Sequence, residues 1–478
     1  MPTDGPGLER SWRQLHTEAA VRDAIETQEL EDNERFEIGL SLFGHRPKLM
    51  AWYKRVHQEM RRIALNFPPS WFTVVMGTSI TASLLYTFPY PARWLEYLAY
   101  IVLAFDVCLF LLFLVISIVR FIRWPALIRL LLRHPQQSMF LGAFAVAYQA
   151  VVNASIQIIV PSWGFNFTLF LWALWMLGSV IGMFIGIGMP IIQFTRHELT
   201  LSSITGVMLL PVVGPIVSSA AGANMAQYLP PAHARFTICA SYIMWGAGFT
   251  MAMLTLAMFY ARLTIHKIPE AALTVTILLP LGPLGQSNYA LLRLSTMLLK
   301  LADESGAAFV GRSQFSAADA RTMALAVYGI TIAVSLMLWG FALVWLLIAI
   351  CLLVDMWLVS RLTFNLGWWG FTFPLGTLCA ATGQLALEFN STAFRVFGSL
   401  FTTLEVLLWL GIGSMTMYRA LQGEIFASPC LIDVGGLPPK GEHQLNRIYK
   451  YEPRHPDPVA KPDPAVVAPE KHVSAPGE

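Results

Sequence analysis

The chain has 478 residues, of which 56% are hydrophobic and 13% are charged, and its mean hydropathy is +0.57. This charge is too little to cover a water-soluble globule of that size, so membrane lipid is the first expected partner. The net charge of +3 is small and its excess is local, which indicates membrane topology and excludes nucleic acid as an expected partner. The cysteines have no paired spacing, so neither a disulfide framework nor a metal site is predicted, and the histidines lie outside the spans or at a boundary, so no haem or other cofactor is expected.

The chain divides into three regions. Residues 1–65 alternate acidic and basic groups and are expected to form a cytoplasmic N-terminal region, in which no removable signal peptide is expected. Residues 421–478 are rich in Pro and poor in large apolar residues, which predicts a largely disordered cytoplasmic tail. The transmembrane domain, 66–420, contains apolar runs near the roughly 20 residues that a span needs, at about 71–88, 94–119, 137–160, 167–194, 202–229, 233–260, 271–299, 322–358, 368–389 and 394–419.

The eighth run is long enough for two crossings. However, the stretch from Val334 to Leu353 has no Pro and no charge at which the chain could reverse, so we predict one long, tilted helix there. Ten crossings follow, whereas eleven would place the C-terminal tail outside. Basic residues precede the first run and connect the second to the third, which makes these segments, and with ten crossings both termini, cytoplasmic. They are Arg46, Lys48, Lys54, Arg55, Arg61, Arg62, Arg120, Arg123, Arg129 and Arg133.

The odd-numbered and even-numbered spans differ in composition. Even spans are mostly uninterrupted Leu, Ile, Phe, Met and Trp, whereas odd spans contain clusters of Gly, Pro and small polar residues. A broken helix followed by a plain one, repeated five times, is the simplest unit that gives this alternation. The candidate residues in these clusters are Thr78, Ser79, Gly142, Phe144, Pro211, Gly214, Pro215, Ser218, Pro280, Gly282, Pro283, Gln286, Pro374 and Thr377.

The alternation has a physical explanation. An interior Pro costs an ordinary helix about 3 kcal/mol, and the carbonyls that it frees are tolerated only where they face protein or a water-filled cavity. Broken helices therefore belong around a conduit, where backbone N–H groups can bind an anion. The alternative is that Gly and Pro serve only close helix packing. We predict an all-α integral membrane fold of ten transmembrane helices, arranged as five helical hairpins around a central pore.

Three ionisable residues lie within the spans. Arg293 is in the seventh span, two turns from Gln286 on about the same face. There it either draws anions into the path, or it forms an ion pair with a carboxylate or extends its charge to the membrane interface. Asp106 and Glu405 lie mid-way along even spans, which favours structural hydrogen bonding or subunit contact over ion translocation. Glu388, near a span end, is expected to be solvated.

Several motifs resemble the tellurite-resistance/dicarboxylate transporter family, which includes the plant slow anion channels and, closest to this sequence, fungal sulfite efflux pumps. The motifs are Asn66 to Phe72 leading into Met76-Gly77-Thr78, His134-Pro135 through Gly142, Leu209-Leu210-Pro211, Gly282 to Gln286, and Gly367 to Pro374. The resemblance implies a ten-helix pore, a homotrimer, and a phenylalanine that plugs the pore. The position that matches this gate is Phe373, with Phe371 as the second choice.

The expected function is export of sulfite or hydrogensulfite across the plasma membrane, which would give sulfite resistance. The alternative within the family is a malate or dicarboxylate transporter, but two separated charges would call for two cationic anchors and the path offers only Arg293. An enzyme is not expected, because the spans contain no His, Asp or Cys constellation and no Walker-type phosphate loop.

Overall fold

The computed structural model describes residues 27–28, 47–267, 275–309, 316–359, 364–426 and 428–432, and all regular secondary structure within them is helical. Most of the predicted N-terminal region and of the predicted disordered tail lies outside the described residues. Helix α1 (Pro47–Leu65) precedes the apolar part of the chain, and α4 (Ala126–Arg133) is a short helix between the second and third apolar runs.

Each of the ten predicted apolar runs contains one long helix. The odd runs contain what we call the inner helices: α2 (Phe72–Tyr86), α5 (Leu141–Ile158), α7 (Leu210–Ala226), α9 (Leu281–Ser305) and α11 (Thr372–Glu388). The even runs contain the outer helices: α3 (Arg93–Arg123), α6 (Phe165–Arg196), α8 (Pro231–His266), α10 (Ala317–Val359) and α12 (Thr392–Gln422). The eighth run is a single uninterrupted helix, α10, as predicted.

Seven helical segments of the described residues are long and apolar enough to cross a membrane. They include all the outer helices and the segments that contain α5 and α7. Of the others, α2 and α11 are 15 and 17 residues long, and α9 carries charges towards its C-terminal end. The fold is therefore that of a multi-pass membrane protein, and the count of ten crossings stays a prediction.

Burial separates the two sets of helices. Every residue of α7 is buried, as is every residue of α2 from Phe72 to Leu85. In the outer helices, only 22–28% of the most apolar window is buried within the protein. Because large apolar side chains such as Phe184 and Met337 are exposed on the outer helices, these helices present the surface that suits lipid. This agrees with the alternation in the sequence.

The inner helices form a closed ring. Each contacts the next in the order α2, α5, α7, α9 and α11, and α11 contacts α2. Each outer helix packs on the inner helix that precedes it in the chain. A 3-10 turn lies directly before every inner helix, and neighbouring turns contact one another or the adjacent inner helix. The inner helices therefore all begin at the same end of the ring.

The prolines mark helix starts more than helix breaks. Pro211 lies in the first turn of α7, Pro280 is the N-cap of α9, and Pro283 and Pro374 are third residues of their helices. The sequence predicted interruptions within the spans, but the structure places them at the N-terminal ends as 3-10 turns. First-turn N–H groups have no partner within a helix, so proline costs little there. Pro215 does lie inside α7, which continues past it.

Candidate functional site

Every inner helix contributes to one small cavity near the middle of the ring. Its volume is about 10 Å³, which is close to the least space that one water molecule needs. The axis of the ring is therefore closed at this level to anything larger. The cavity is lined by Ser79, Ile80 and Ser83 of α2, Ala150 and Asn153 of α5, Val217 of α7, Gln286 of α9 and Phe373 of α11.

Three residues singled out in the sequence meet at this cavity. Ser79, Gln286 and Phe373 come from different inner helices and are 1–3% exposed. The other candidate gate, Phe371, is half-buried before α11, and its ring lies against that of Trp368 with 5.5 Å between centroids. Of the two phenylalanines, Phe373 is the one that lines the axial cavity.

A fourth candidate, Gly282, borders open space but is not part of the cavity wall. It is buried, yet a Cβ atom built on it would meet no atom within 4 Å. Gly282 precedes Gln286 by four residues, so the two share one face of α9. This face therefore borders unfilled space inside the ring.

Three of the candidate hydroxyl residues join helices to one another instead. The Thr78 hydroxyl accepts a hydrogen bond from the Trp409 indole of α12 at 3.1 Å. The Thr377 hydroxyl donates to the Pro374 carbonyl of its own helix at 2.7 Å and shares that hydrogen with the first backbone carbonyl of α9 at 3.2 Å. The Ser218 hydroxyl accepts from the Gln149 amide of α5 at 3.0 Å. None of the three lines the small axial cavity, and their role in the path stays a prediction.

The remaining candidates serve packing. A Cβ atom on Gly142 would overlap backbone atoms in the first turn of α7, so α5 and α7 touch through this glycine. A Cβ atom on Gly214 would lie 3.5 Å from the backbone of α6, and the Pro215 ring points towards α6 and α8. The Phe144 ring packs edge-on against Phe72, with 5.1 Å between centroids. For these residues the alternative interpretation, close helix packing, describes the structure.

Arg293 belongs to a polar cluster that reaches the cavity. Its Nε donates to Asn224 Oδ1 at 2.9 Å and its Nη2 to Gln227 Oε1 at 3.4 Å. The Tyr289 hydroxyl also donates to Asn224 Oδ1, at 3.1 Å, and Asn224 Nδ2 donates to Asn153 Oδ1 at 2.9 Å. Asn153 in turn lines the cavity. The guanidinium of Arg293 is held by neutral amides. No carboxylate among the described residues pairs with it, so no ion pair neutralises its positive charge within this part of the structure.

Sequence reasoning did not assign this cluster. Asn153, Asn224 and Tyr289 are single polar residues in three odd spans. The signal that could have found them is distance from the helix start, since Asn153 and Arg293 are the thirteenth residues of their inner helices, Asn224 is the fifteenth and Tyr289 is the ninth. Parallel helices bring equivalent positions to the same level of a ring.

Two buried carboxylates flank α2 from the outer helices. Ser79 donates its hydroxyl hydrogen to Asp106 Oδ2, and Thr81 donates to Glu405 Oε1 at 2.9 Å. Both acids are 0% exposed, and their second oxygens, Oδ1 and Oε2, have no hydrogen-bond partner among the described residues. The predicted structural hydrogen bonds of Asp106 and Glu405 are therefore present. The partner of Asp106, Ser79, also lines the cavity.

Glu388, which was predicted to be solvated, is partly exposed and also binds neighbouring helices. It accepts hydrogen bonds from the Thr296 hydroxyl at 2.9 Å, the Gln384 amide at 2.7 Å and the Tyr328 hydroxyl at 2.7 Å. These donors come from α9, α10 and α11, so the carboxylate ties three helices together at their common end.

The segment that follows α12 packs at the end of the ring where the inner helices begin. The Phe426 ring stacks on Trp71 with 5.1 Å between centroids, and Trp71 stacks on Phe67 at 5.3 Å. The buried Arg120 guanidinium donates to the Phe67 carbonyl at 2.5 Å and to the Ser428 hydroxyl at 3.2 Å. Part of the predicted tail is therefore bound to the turn that leads into α2.

Fold and site together define a multi-pass helical membrane protein whose inner helices surround a small polar cavity with a cation beside it. Residues 66–417 match the family described as voltage-dependent anion channel, SLAC1, and the chain belongs to this family. The resemblance seen in the sequence motifs is thereby confirmed.

Named relatives extend the comparison. The chain is 36% identical over 362 residues to the sulfite efflux pump SSU1 of Arthroderma benhamiae, which covers 76% of this chain and 92% of that protein. It is 27% identical over 392 residues to the protein of the same name from Candida albicans, covering 76% of each. The malic acid transport protein of Schizosaccharomyces pombe is more distant, at 20% over 372 residues, with 76% of this chain and 81% of that protein covered.

Proposed function

We propose that the protein exports sulfite or hydrogensulfite across the plasma membrane, along the axis of the ring of inner helices. The observation that carries the proposal is the cavity to which every inner helix contributes, with the Arg293 cluster connected to it through Asn153. The similarity to sulfite efflux pumps supports sulfite as the anion.

The proposed topology has ten crossings, with both termini in the cytoplasm. The inner helices α2, α9 and α11 do not need the length or hydropathy of a lipid-facing span, because most of their residues are buried among other helices. The basic helices α1 and α4 both pack on α3, and α4 also contacts the 3-10 turn before α5. By the positive-inside rule, the end of the ring with the 3-10 turns is then cytoplasmic. The Arg293 cluster lies towards the opposite, outer end.

This topology suits an anion that leaves the cell. The N-terminal ends of the inner helices face the cytoplasm, and helix N-termini carry partial positive charge. In the cavity, the Gln286 amide can donate hydrogen bonds to an oxyanion, and the Ser79 hydroxyl can do so when its hydrogen is not held by Asp106. Beyond the cavity, Arg293 offers a permanent cation. An anion would therefore meet favourable electrostatics at each level without a deep ion pair that would trap it.

Phe373 is the proposed gate. Its ring is 3% exposed and forms part of the wall of a cavity that is barely large enough for one water molecule. An apolar ring at a constriction blocks ions by excluding water. Rotation of this one side chain would connect the cavity with the end of the ring where α11 begins, since Phe373 is the second residue of that helix.

The number of cations beside the cavity favours sulfite over malate as the transported anion. A dicarboxylate carries two separated negative charges, whereas the cluster beside the cavity contains one cation, Arg293, within the described residues. Assembly as a homotrimer, implied by the family resemblance, is part of the proposal and is tested by the mass of the detergent-solubilised protein.

The deciding experiment measures transport by the pure protein. Liposomes with the protein are loaded with sulfite or malate, the membrane potential is clamped with potassium and an ionophore, and efflux is sampled over time. We expect sulfite to leave faster than malate, and faster than from protein-free liposomes. Equal or reversed preference would defeat the assignment to sulfite.

A further inference from the structure

Asp106 is one hydrogen bond away from the axial cavity. It is the fourteenth residue of α3, it is 0% exposed, and its Oδ2 accepts the Ser79 hydroxyl hydrogen. Its Oδ1 has no hydrogen-bond partner among the described residues. Ser79 lies between this carboxyl group and the cavity, which it lines. A titratable group thus touches a polar group of the proposed path without being exposed to it.

We infer that Asp106 is a protonation site that sets the direction of the Ser79 hydroxyl and so makes anion passage dependent on pH. A serine hydroxyl has one hydrogen to donate. When Asp106 is ionised it can only accept, so it takes that hydrogen and Ser79 presents lone pairs to the cavity, which disfavours an anion. When Asp106 is protonated, its own O–H donates to Ser79, and the Ser79 hydrogen is free to bind the anion. The inference rests on the proposed function.

The proton has a simple path. A hydronium ion that reaches the cavity when passage opens supplies it: the Ser79 hydroxyl passes its hydrogen to Asp106 and receives a hydrogen from the hydronium ion, which leaves as water. No bond other than O–H is made or broken. The proton remains on the carboxyl group while anions pass.

The charged and titratable groups around Asp106 are few. From Phe72 to Leu85, α2 carries no Asp, Glu, Lys, Arg or His. On α5 the nearest is Tyr148, whose hydroxyl donates to the Leu174 carbonyl at 3.1 Å. On α3 itself Cys108 is exposed, and Tyr100, Tyr97, Glu96 and Arg93 are about 9 to 20 Å away towards the start of the helix. Arg120 is about 21 Å away towards its end. The charges of α1 and α4 lie beyond it, at that same end.

Glu405 supplies a matched control. It is buried to the same degree, comes from an outer helix, and accepts a hydrogen bond from a hydroxyl of α2. Its partner Thr81, however, does not line the cavity. Any general effect of removing a buried acid beside α2 should therefore appear in Glu405→Gln, whereas an effect on the path should appear only in Asp106→Asn.

The test measures the rate of sulfite efflux from liposomes across a series of pH values. The rate of each variant is divided by the wild-type rate at the same pH. Sulfite and hydrogensulfite interconvert over this range, but the ratio compares identical solutions. The amide introduced by Asp106→Asn stays neutral and keeps a donor for Ser79. The ratio for this variant should therefore rise with pH by roughly tenfold, the effect of about one hydrogen bond to an anion. The Glu405→Gln ratio should stay flat.

Two results would overturn the inference alone: an Asp106→Asn ratio that does not change with pH, or an equal change in Glu405→Gln. If Asp106→Asn does not fold, Ser79→Ala makes the same test, because without the hydroxyl the flux should lose the Asp106-dependent response to pH. A ratio for Ser79→Ala that is flat with pH would then refute the coupling. Absence of sulfite efflux in the wild type at every pH would overturn the proposed function as well.

Discussion

Replacing Phe373 by Ala removes the ring that closes the axial cavity. The side chain is 3% exposed, so moving it aside to open the wild-type path gives up most of its burial, roughly 1.5–3 kcal/mol. Each reduction of a barrier by about 1.36 kcal/mol raises a rate tenfold. We therefore expect Phe373→Ala to raise sulfite flux by roughly ten- to hundredfold.

The assay is sulfite efflux from liposomes at a clamped potential, normalised to folded protein. Normalisation matters because truncating a buried Phe costs about 3–5 kcal/mol of stability in well-packed cores. Phe371→Ala is the control, since that ring lies on Trp368 away from the cavity and its loss should change flux little. Unchanged flux in Phe373→Ala, with a rise in Phe371→Ala, would refute the assignment of the gate.

Three further predictions concern the cation, the ring and the docked segment. Arg293→Gln should lower sulfite flux by about tenfold and weaken the dependence of that flux on ionic strength. Arg321→Gln is the control: Arg321 is exposed and paired with a carboxylate, so its replacement should change neither quantity. Measuring flux at two salt concentrations tests both expectations. Gly142→Ala should lower the thermal midpoint in detergent by overlap with α7, whereas Gly282→Ala should leave it unchanged. Arg120→Gln should release the segment after α12, seen as faster proteolysis there; an unchanged cleavage rate would contradict its anchoring role.

The positions and burial of the helices could be predicted from composition. The run from Val334 to Leu353 has no Pro, no charge and a single Gly, and α10 is indeed uninterrupted. The cluster around Pro211 and Gly214 marked a helix that must avoid lipid, and α7 is buried throughout. These predictions hold because lipid and protein interior impose different compositions, which a single sequence displays.

The direction in which each polar side chain points could not be predicted. Thr78 and Ser79 are adjacent, yet one binds Trp409 on an outer helix and the other lines the cavity. A mixed cluster of small residues has no hydrophobic face that would fix its rotation, so composition places both near the axis and cannot separate them. The partners of Arg293 were missed for another reason, because Asn224 is 69 residues away and meets it only through the ring.

Closure of the ring by α11 on α2 also constrains how the protein is made. Phe373 and Ser79 lie in the last and first inner helices, so the ribosome must complete nearly the whole membrane domain before they meet. Until then, the half-built ring has an open seam, and polar groups such as Gln286 lack part of the protein that later shields them from lipid. Nascent chains that stop before α11 should therefore be substrates for membrane quality control and not partly active transporters.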